Sequence, residues 1–171
     1  MCIIVDTNSL SNVFDSSSVN HAEFKPILDW VLYGKGTLVF GGSKYIDEVG
    51  QTKYMRLLIE LANIRKAKNV NREEVDEKQA WAETKIQHKD FDDPHLIGLL
   101  LVSGCKLICS LDGRAYRFLR HNLFFPKVAN KPKIYCRGIH STLLTDANIA
   151  DICKPIIRTT VAQRAQLSIL K

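Results

Sequence analysis

Residues 92–112 read DDPHLIGLLLVSGCKLICSLD. Two acids and a proline open the stretch as a helix opens: carboxylates complement the positive end of the aligned peptide dipoles, and proline suits the first turn, where its missing N–H costs nothing. The residues that follow are apolar on nearly every side, so the spacing predicts a central, buried helix through Ser103, stopped by Gly104. KLICSL (106–111) is then a short continuous apolar run, the pattern of a parallel strand covered on both faces, and it ends on Asp112.

The same grammar recurs outward in both directions. CIIV (2–5) is another buried run, β-branched and therefore strand-like, ending on Asp6; Thr7 and Asn8 then cap a helix through Phe14. Phe24, Ile27, Leu28, Val31 and Leu32 recur at helical spacing over 21–33, before Gly34 and Gly36. TLVF (37–40) is a second strand, closed by Gly41 and Gly42; Ser43 caps a helix carrying Tyr45, Ile46, Val49 and the acid Glu48, with more helix over 53–64. Residues 72–89 are polar and helical with Val75, Trp81 and Ile86 inward, and Arg65 to Lys68 read as a helix end where cations meet the negative pole. A basic helix over 114–121, a last strand KIYC (133–136) and a short helix over 139–144 complete the pattern. Strands alternating with helices predict a three-layer α/β/α domain around a central, mainly parallel sheet. The division expected is one domain over 1–145 and a C-terminal extension over 146–171, either a docked helix or a tail.

The chain's 171 residues, 46% hydrophobic and 25% charged, suit one well-cored globular domain. No apolar run has the length of a membrane helix, and Asp6 interrupts the N-terminal apolar residues before a signal-peptide core can form, so the expectation is a cytoplasmic protein. Five cysteines, odd in number and never spaced Cys-x-x-Cys, are expected as free thiols in a reducing compartment. The net charge of +6 favours partners that carry phosphate.

Asp6 and Asp112 each follow a buried strand, and in an open α/β sheet ligands bind beyond the carboxyl ends of the strands. Asp93 opens the helix that leads into the Asp112 strand, and Glu48 sits one turn into the helix after the second strand. Singly, each acid has a plainer explanation as a helix cap, a dipole partner or a surface residue. Together they make an all-oxygen cluster whose mutual repulsion a divalent cation relieves, which suits Mg2+ or Mn2+. Two such ions cut phosphodiesters without a side-chain nucleophile.

IIVDTNSL (3–10), GGSKYIDEVG (41–50) and DDPHLIGLLLVSGCKLICSLDGRAYRFL (92–119), in this order, resemble the motifs of bacterial PIN-domain nucleases over roughly residues 1–145, and PKIYC followed by Ile139 and His140 is similar to the ending of one PIN-like subgroup. The resemblance implies that Asp6, Glu48, Asp93 and Asp112 are the catalytic, metal-binding acids. Asn8 and Ser110 would support them, with Asp92 as an ambiguous neighbour of Asp93. It implies a metal-dependent endoribonuclease, with RNA as substrate and DNA left open. A toxin role, a small antitoxin-like partner and a homodimer come with the same family. LIGLLL departs from the alanine-rich helix of many relatives, which alters packing rather than chemistry.

Arg114, Arg117 and Arg120 recur every third residue after Asp112 and are candidates for holding a nucleic-acid backbone, or equally a solvated basic face; Lys127, Lys131 and Lys133 extend the patch. His95 reads as a satisfied core histidine. Two other readings compete: a PIN-like module that binds RNA or protein without cutting, and a phosphatase with Asp6 as nucleophile. The latter wants Asp-x-Asp, whereas this chain has Asp6-Thr7-Asn8.

Overall fold

Strand β1 (Cys2–Val5) is buried at every position, as its unbroken apolar run requires. The computed structural model describes residues 2–145 and 149–167. After β1 the chain makes a 3₁₀ turn (Thr7–Ser9) and runs through α1 (Leu10–Phe14), α2 (His21–Leu32), β2 (Thr37–Gly41), α3 (Ser43–Gly50), α4 (Tyr54–Asn63) and β3 (Ala67–Val70). It continues through α5 (Arg72–Lys85), α6 (Pro94–Ser103), β4 (Leu107–Cys109), α7 (Tyr116–Leu119), β5 (Lys133–Tyr135) and a 3₁₀ segment (Gly138–Leu143), and α8 (Val161–Ala165) lies near the C-terminus. The five strands form one parallel sheet in the order β3-β2-β1-β4-β5. Parallel neighbours need crossover connections, and these supply the helical layers of a three-layer α/β/α domain. On one face Phe24 of α2 packs against Tyr135 of β5, ring centres 5.7 Å apart.

The strand order places the reversal of winding between β1 and β4. From β1 the chain builds outward to β2 and β3, then returns to lay β4 and β5 on the opposite side. Ile4 pairs with Val39 of β2 on one flank and Ile108 of β4 on the other. A crevice opens at such a point, because the two connections leave the carboxyl edge in opposite directions.

Helix α6 is buried along most of its length because α5 covers its outer side. Gly98 makes this possible: a Cβ there would lie 2.6 Å from the Val75 carbonyl oxygen and 3.0 Å from the Gln79 nitrogen. LIGLLL is therefore a helix with a notch for its neighbour, and Gly98→Ala would force α5 away at a cost of about 1–3 kcal/mol.

Several expectations are corrected here. Ala67 to Val70 are the edge strand β3 rather than a helix end; α4 stops through Arg65, whose φ of 60° is unusual for a residue with a side chain, and no glycine marks the stop. Lys66 is fully buried, its Nζ donating to the carbonyls of Gly34 and Ile157. Helix α5 ends at Lys85, with Val75 and Ala82 buried while Trp81 stays exposed against Phe124. The basic helix shrinks to the single turn of α7, and the helix expected over 139–144 is 3₁₀.

The C-terminal extension docks rather than trailing free: Cys153 and Leu167 are buried, and the Thr159 hydroxyl donates to the Leu32 carbonyl. Residues 146–148 and 168–171 of that extension lie outside the described residues. All five cysteines are free thiols, four of them buried. Among the described residues, no helix is long and apolar enough to cross a membrane.

Candidate functional site

Asp6 continues the line of β1 by one residue, its N–H donating to the Cys109 carbonyl at 2.9 Å, so its carboxylate is fixed at the switch point. It is 1% exposed. Ser110, immediately after β4, donates its hydroxyl to Asp6 Oδ2 at 2.8 Å and accepts the Asp112 N–H at 3.2 Å. One serine thus ties the ends of two strands and the two acids they carry. Asn8 meets Asp6 through its main-chain N–H, 3.4 Å from Oδ1, while Asn8 itself is exposed. This Asn8 contact is backbone capping of the 3₁₀ turn, in which Asp6 is the cap.

Glu48 reaches the site from α3. The Thr7 hydroxyl donates to its Oε2 at 2.8 Å, Lys44 Nζ lies 3.4 Å from Oε1, and His95 Nε2 lies 3.7 Å from Oε2. The helix carrying Glu48 is aimed by a long-range cap. Asp76 of α5 accepts the Ser43 N–H at 2.7 Å and also accepts the Ser43 hydroxyl, and Gly42 turns into the helix at φ 80°. A Cβ on Gly42 would meet Val75 Cγ1 at 2.4 Å, so only glycine admits this turn. Asp93 is the N-cap residue of α6 and half-buried, whereas Asp92 beside it is exposed, 3.8 Å from Arg114 Nη2.

The four acids differ sharply in their electrostatics. Burial pushes the Asp6 carboxyl up, and the charges of Glu48 and Asp112 add to it, against the hydrogen bonds from Ser110 and Asn8. Burial also raises Asp93, with Asp6, Glu48, Asp112 and Asp92 adding repulsion, to about 6. Asp112 goes the other way. Arg114 grips it with Nε at 3.1 Å from Oδ1 and Nη2 at 2.9 Å from Oδ2, holding its carboxyl below the usual range.

His95 corrects one expectation: it is a buried histidine, 2% exposed, but not a satisfied one. Among the described residues neither ring nitrogen has a hydrogen-bond partner, and burial lowers its pKa against the pull of Glu48. The arginine row also divides. Arg114 is spent on Asp112, Arg117 bonds Asp90 at 2.7 Å and lies over the Phe118 ring, and Arg120 has no partner among the described residues. Thr7, Lys44 and His95 were not read from the sequence as site residues. Thr7 carried the one available signal, a hydroxyl next to the strand-end acid.

The donor set is carboxylate oxygen throughout, the chemistry of a hard divalent cation, and Asp6 and Asp93 are raised first by burial and further by the neighbouring acids. As the side chains lie, no three carboxylate, imidazole or thiol groups among the described residues are gathered into a cation cage. The physical reason is visible. Arg114 draws Asp112, and Lys44 draws Glu48, each toward its own positive charge. Asp6, Asp93, Glu48 and Asp112 therefore fit a cation by chemistry and by edge of the sheet, with the outer two turned to cationic side chains. Comparison of the chain with protein-family models, with curated proteins and with solved structures returned no match.

Proposed function

We propose that the chain is a divalent-metal-dependent endoribonuclease of the PIN-like type, in which Asp6, Glu48, Asp93 and Asp112 hold Mg2+ or Mn2+. The observation that supports this most is the placement of four carboxylates at the switch point of a parallel sheet, with Asp6 raised by burial and by Glu48 and Asp112, and Asp93 raised by burial and by Asp6, Glu48 and Asp112. When bound, the cations activate water and stabilise the leaving oxygen of a phosphodiester. The chain's own residues prepare for that. Ser110 fixes the rotation of the Asp6 carboxylate and the start of the Asp112 turn. Thr7 holds Glu48 against the site, and His95 walls it from the core side. Arg114, released from Asp112, brings a guanidinium to the phosphate backbone, whose charge dominates nucleic-acid affinity.

A toxin role, an antitoxin-like partner and a homodimer belong to the same proposal and rest on the family resemblance alone. A second reading has one observation in its favour. Arg114 on Asp112 and Lys44 on Glu48 already neutralise two of the acids, as a silent PIN-like module binding RNA or protein would permit.

The test is cleavage of structured and unstructured RNA by the purified chain in EDTA and in millimolar Mn2+. Cleavage that needs Mn2+ and is lost in Asp6→Asn supports the nuclease; RNA binding with no cleavage under either condition favours the silent module.

A further inference from the structure

Beside the acids, on the β5 side of β4, lies an open cavity of about 670 Å³ lined by Tyr116, Arg117, Arg120, Lys131, Ile134, Cys136 and His140. That volume is in the range of about 300–1,000 Å³ typical of ligand sites. Its lining carries three cationic side chains and no carboxylate. Arg117 is neutralised by Asp90, and among the described residues the Lys131 ammonium bonds only the neutral amide oxygen of Asn122, at 2.6 Å. Arg120 has no partner among the described residues, so two positive charges face the cavity without a counter-charge. His140 Nδ1 accepts the Cys136 N–H at 3.2 Å, which leaves the proton of the neutral ring on Nε2 as a further donor. Tyr116, Ile134 and the His140 ring add flat and apolar surface.

The cavity is joined to the acidic site by a short chain of hydrogen bonds. The Tyr116 hydroxyl donates to the Ser110 carbonyl at 2.8 Å, and the Ser110 hydroxyl donates to Asp6. Tyr116 and Cys136 stand at the carboxyl end of the sheet near the acids, while Lys131 stands before β5, five residues back along the chain. At 3.3 Å per residue that is roughly 16 Å, so the cavity leads away from the acids along the edge strand.

We infer that this cavity is a subsite for a phosphorylated nucleotide of the strand being cut, with Arg120 and Lys131 on the phosphate and Tyr116 or His140 against the base. The inference rests on the nuclease reading for the word "cut" but not for the binding. Uncompensated cations select an anion, and flat rings beside them select one that carries a planar base. Without those rings the cavity would suit any phosphate.

The test measures binding in EDTA, where no cleavage intervenes, with a fluorescently labelled five-nucleotide single-stranded RNA, with AMP and with inorganic phosphate. Arg120→Gln/Lys131→Gln should weaken pentamer binding at least tenfold at low salt. It should also flatten the slope of log affinity against log salt by about 1.4, for two lost single-strand phosphate contacts. In the unsubstituted protein, the His140 ring signals should shift on titration with the pentamer, a readout that does not depend on how the variant folds. An unchanged slope in the double variant, or unmoved His140 signals, overturns the subsite. Tighter binding of AMP than of the pentamer overturns the strand assignment in favour of a free nucleotide, and equal binding of inorganic phosphate overturns the role of the rings. Failure of the two readings is separable. Pentamer binding without Mn2+-dependent cleavage by the wild type removes the nuclease and leaves the subsite, whereas cleavage with a silent double variant does the reverse.

Discussion

Asp6 and Asp93 form the inner half of the acidic site, Glu48 and Asp112 the outer half, and the two halves handle charge in opposite ways. The inner acids are withdrawn from water by the fold and feel the charge of neighbouring acids, so their carboxyls are raised, in Asp6 against the hydrogen bonds from Ser110 and Asn8. The outer acids reach cationic side chains, Lys44 and Arg114, and Asp112 is lowered by the latter. The difference teaches where an added cation would matter. The inner pair lacks positive charge, and the outer pair has borrowed some that it can give back.

The largest expected effect falls on catalysis. Replacing Asp6, Asp93 or Asp112 by Asn should reduce Mn2+-dependent RNA cleavage by about 10³-fold or more, the scale of about 4 kcal/mol in transition-state free energy, with far-ultraviolet circular dichroism unchanged. Asp92→Asn, exposed and outside the inner pair, should be much milder. Full turnover in both the Asp6 and the Asp93 variants would remove the inner half from the mechanism and leave only the outer acids as candidates.

Next in size is the stabilisation that a cation confers on the folded chain. A hundredfold excess of Mn2+ over its Kd stabilises the fold by about 2.7 kcal/mol, a rise of roughly 5–10 °C for a domain of this size. Asp6→Asn and Asp93→Asn should lose most of that rise in thermal melts, with and without EDTA. If wild type and variants melt alike in both conditions, the four acids are not a cation site, whatever RNA does.

How much of this was legible beforehand follows from the physics of each part. Buried parallel strands announce themselves as continuous apolar runs, so β1, β2 and β4 could be read, and with them Asp6 and Asp112 beyond their ends; the edge strand β5 still offered the short apolar run Ile134 to Cys136. Strand β3 could not. It is an edge strand whose middle residues Lys68 and Asn69 face solvent, and the turn before it uses Arg65 at positive φ instead of glycine. Asp93 was placed by helix-start chemistry, which is local. The Asp76 cap that aims Glu48 spans 33 residues, and no local pattern reports a contact of that range. The arginine row misled for a related reason. Spacing of three is a helix face only if a helix forms, and here Arg114 turns back to Asp112 before α7 begins.

The inner half also predicts a pH dependence of stability. The Asp93 carboxyl is raised from 3.8 to about 6 in the fold. Its contribution to stability is thus present below pH 3.8 and lost as pH rises through about 6, so at neutral pH the apo protein carries a penalty. The face value of such a shift is about 3 kcal/mol, and with the half-exposed group screened by water roughly half of that remains. Asp93→Asn should therefore raise the melting temperature at pH 7 in EDTA by about 3–6 °C, and the gain should vanish near pH 4. A gain that persists at pH 4 would mean the substitution acts through packing rather than charge.

The smallest effect probes the outer half alone. Arg114 and a cation compete for the same oxygens of Asp112, both of which the guanidinium now occupies. Removing the competitor should tighten Mn2+ binding in the absence of RNA, so Arg114→Gln is expected to lower the Kd by about two- to fivefold, the scale of an exposed ion pair. Isothermal titration of the apo protein reads this directly. On the nuclease proposal the same substitution should weaken RNA binding at low salt, since it deletes a cation beside the acids, and the two shifts in opposite directions are its signature. A conservative Arg114→Lys keeps the charge but loses the two-pronged grip, and should fall between the wild type and Gln in Mn2+ affinity. If Arg114→Gln instead weakens Mn2+ binding, the guanidinium is holding Asp112 in place for the cation. The outer half would then be pre-set like the inner one, and the contrast between them would reduce to burial.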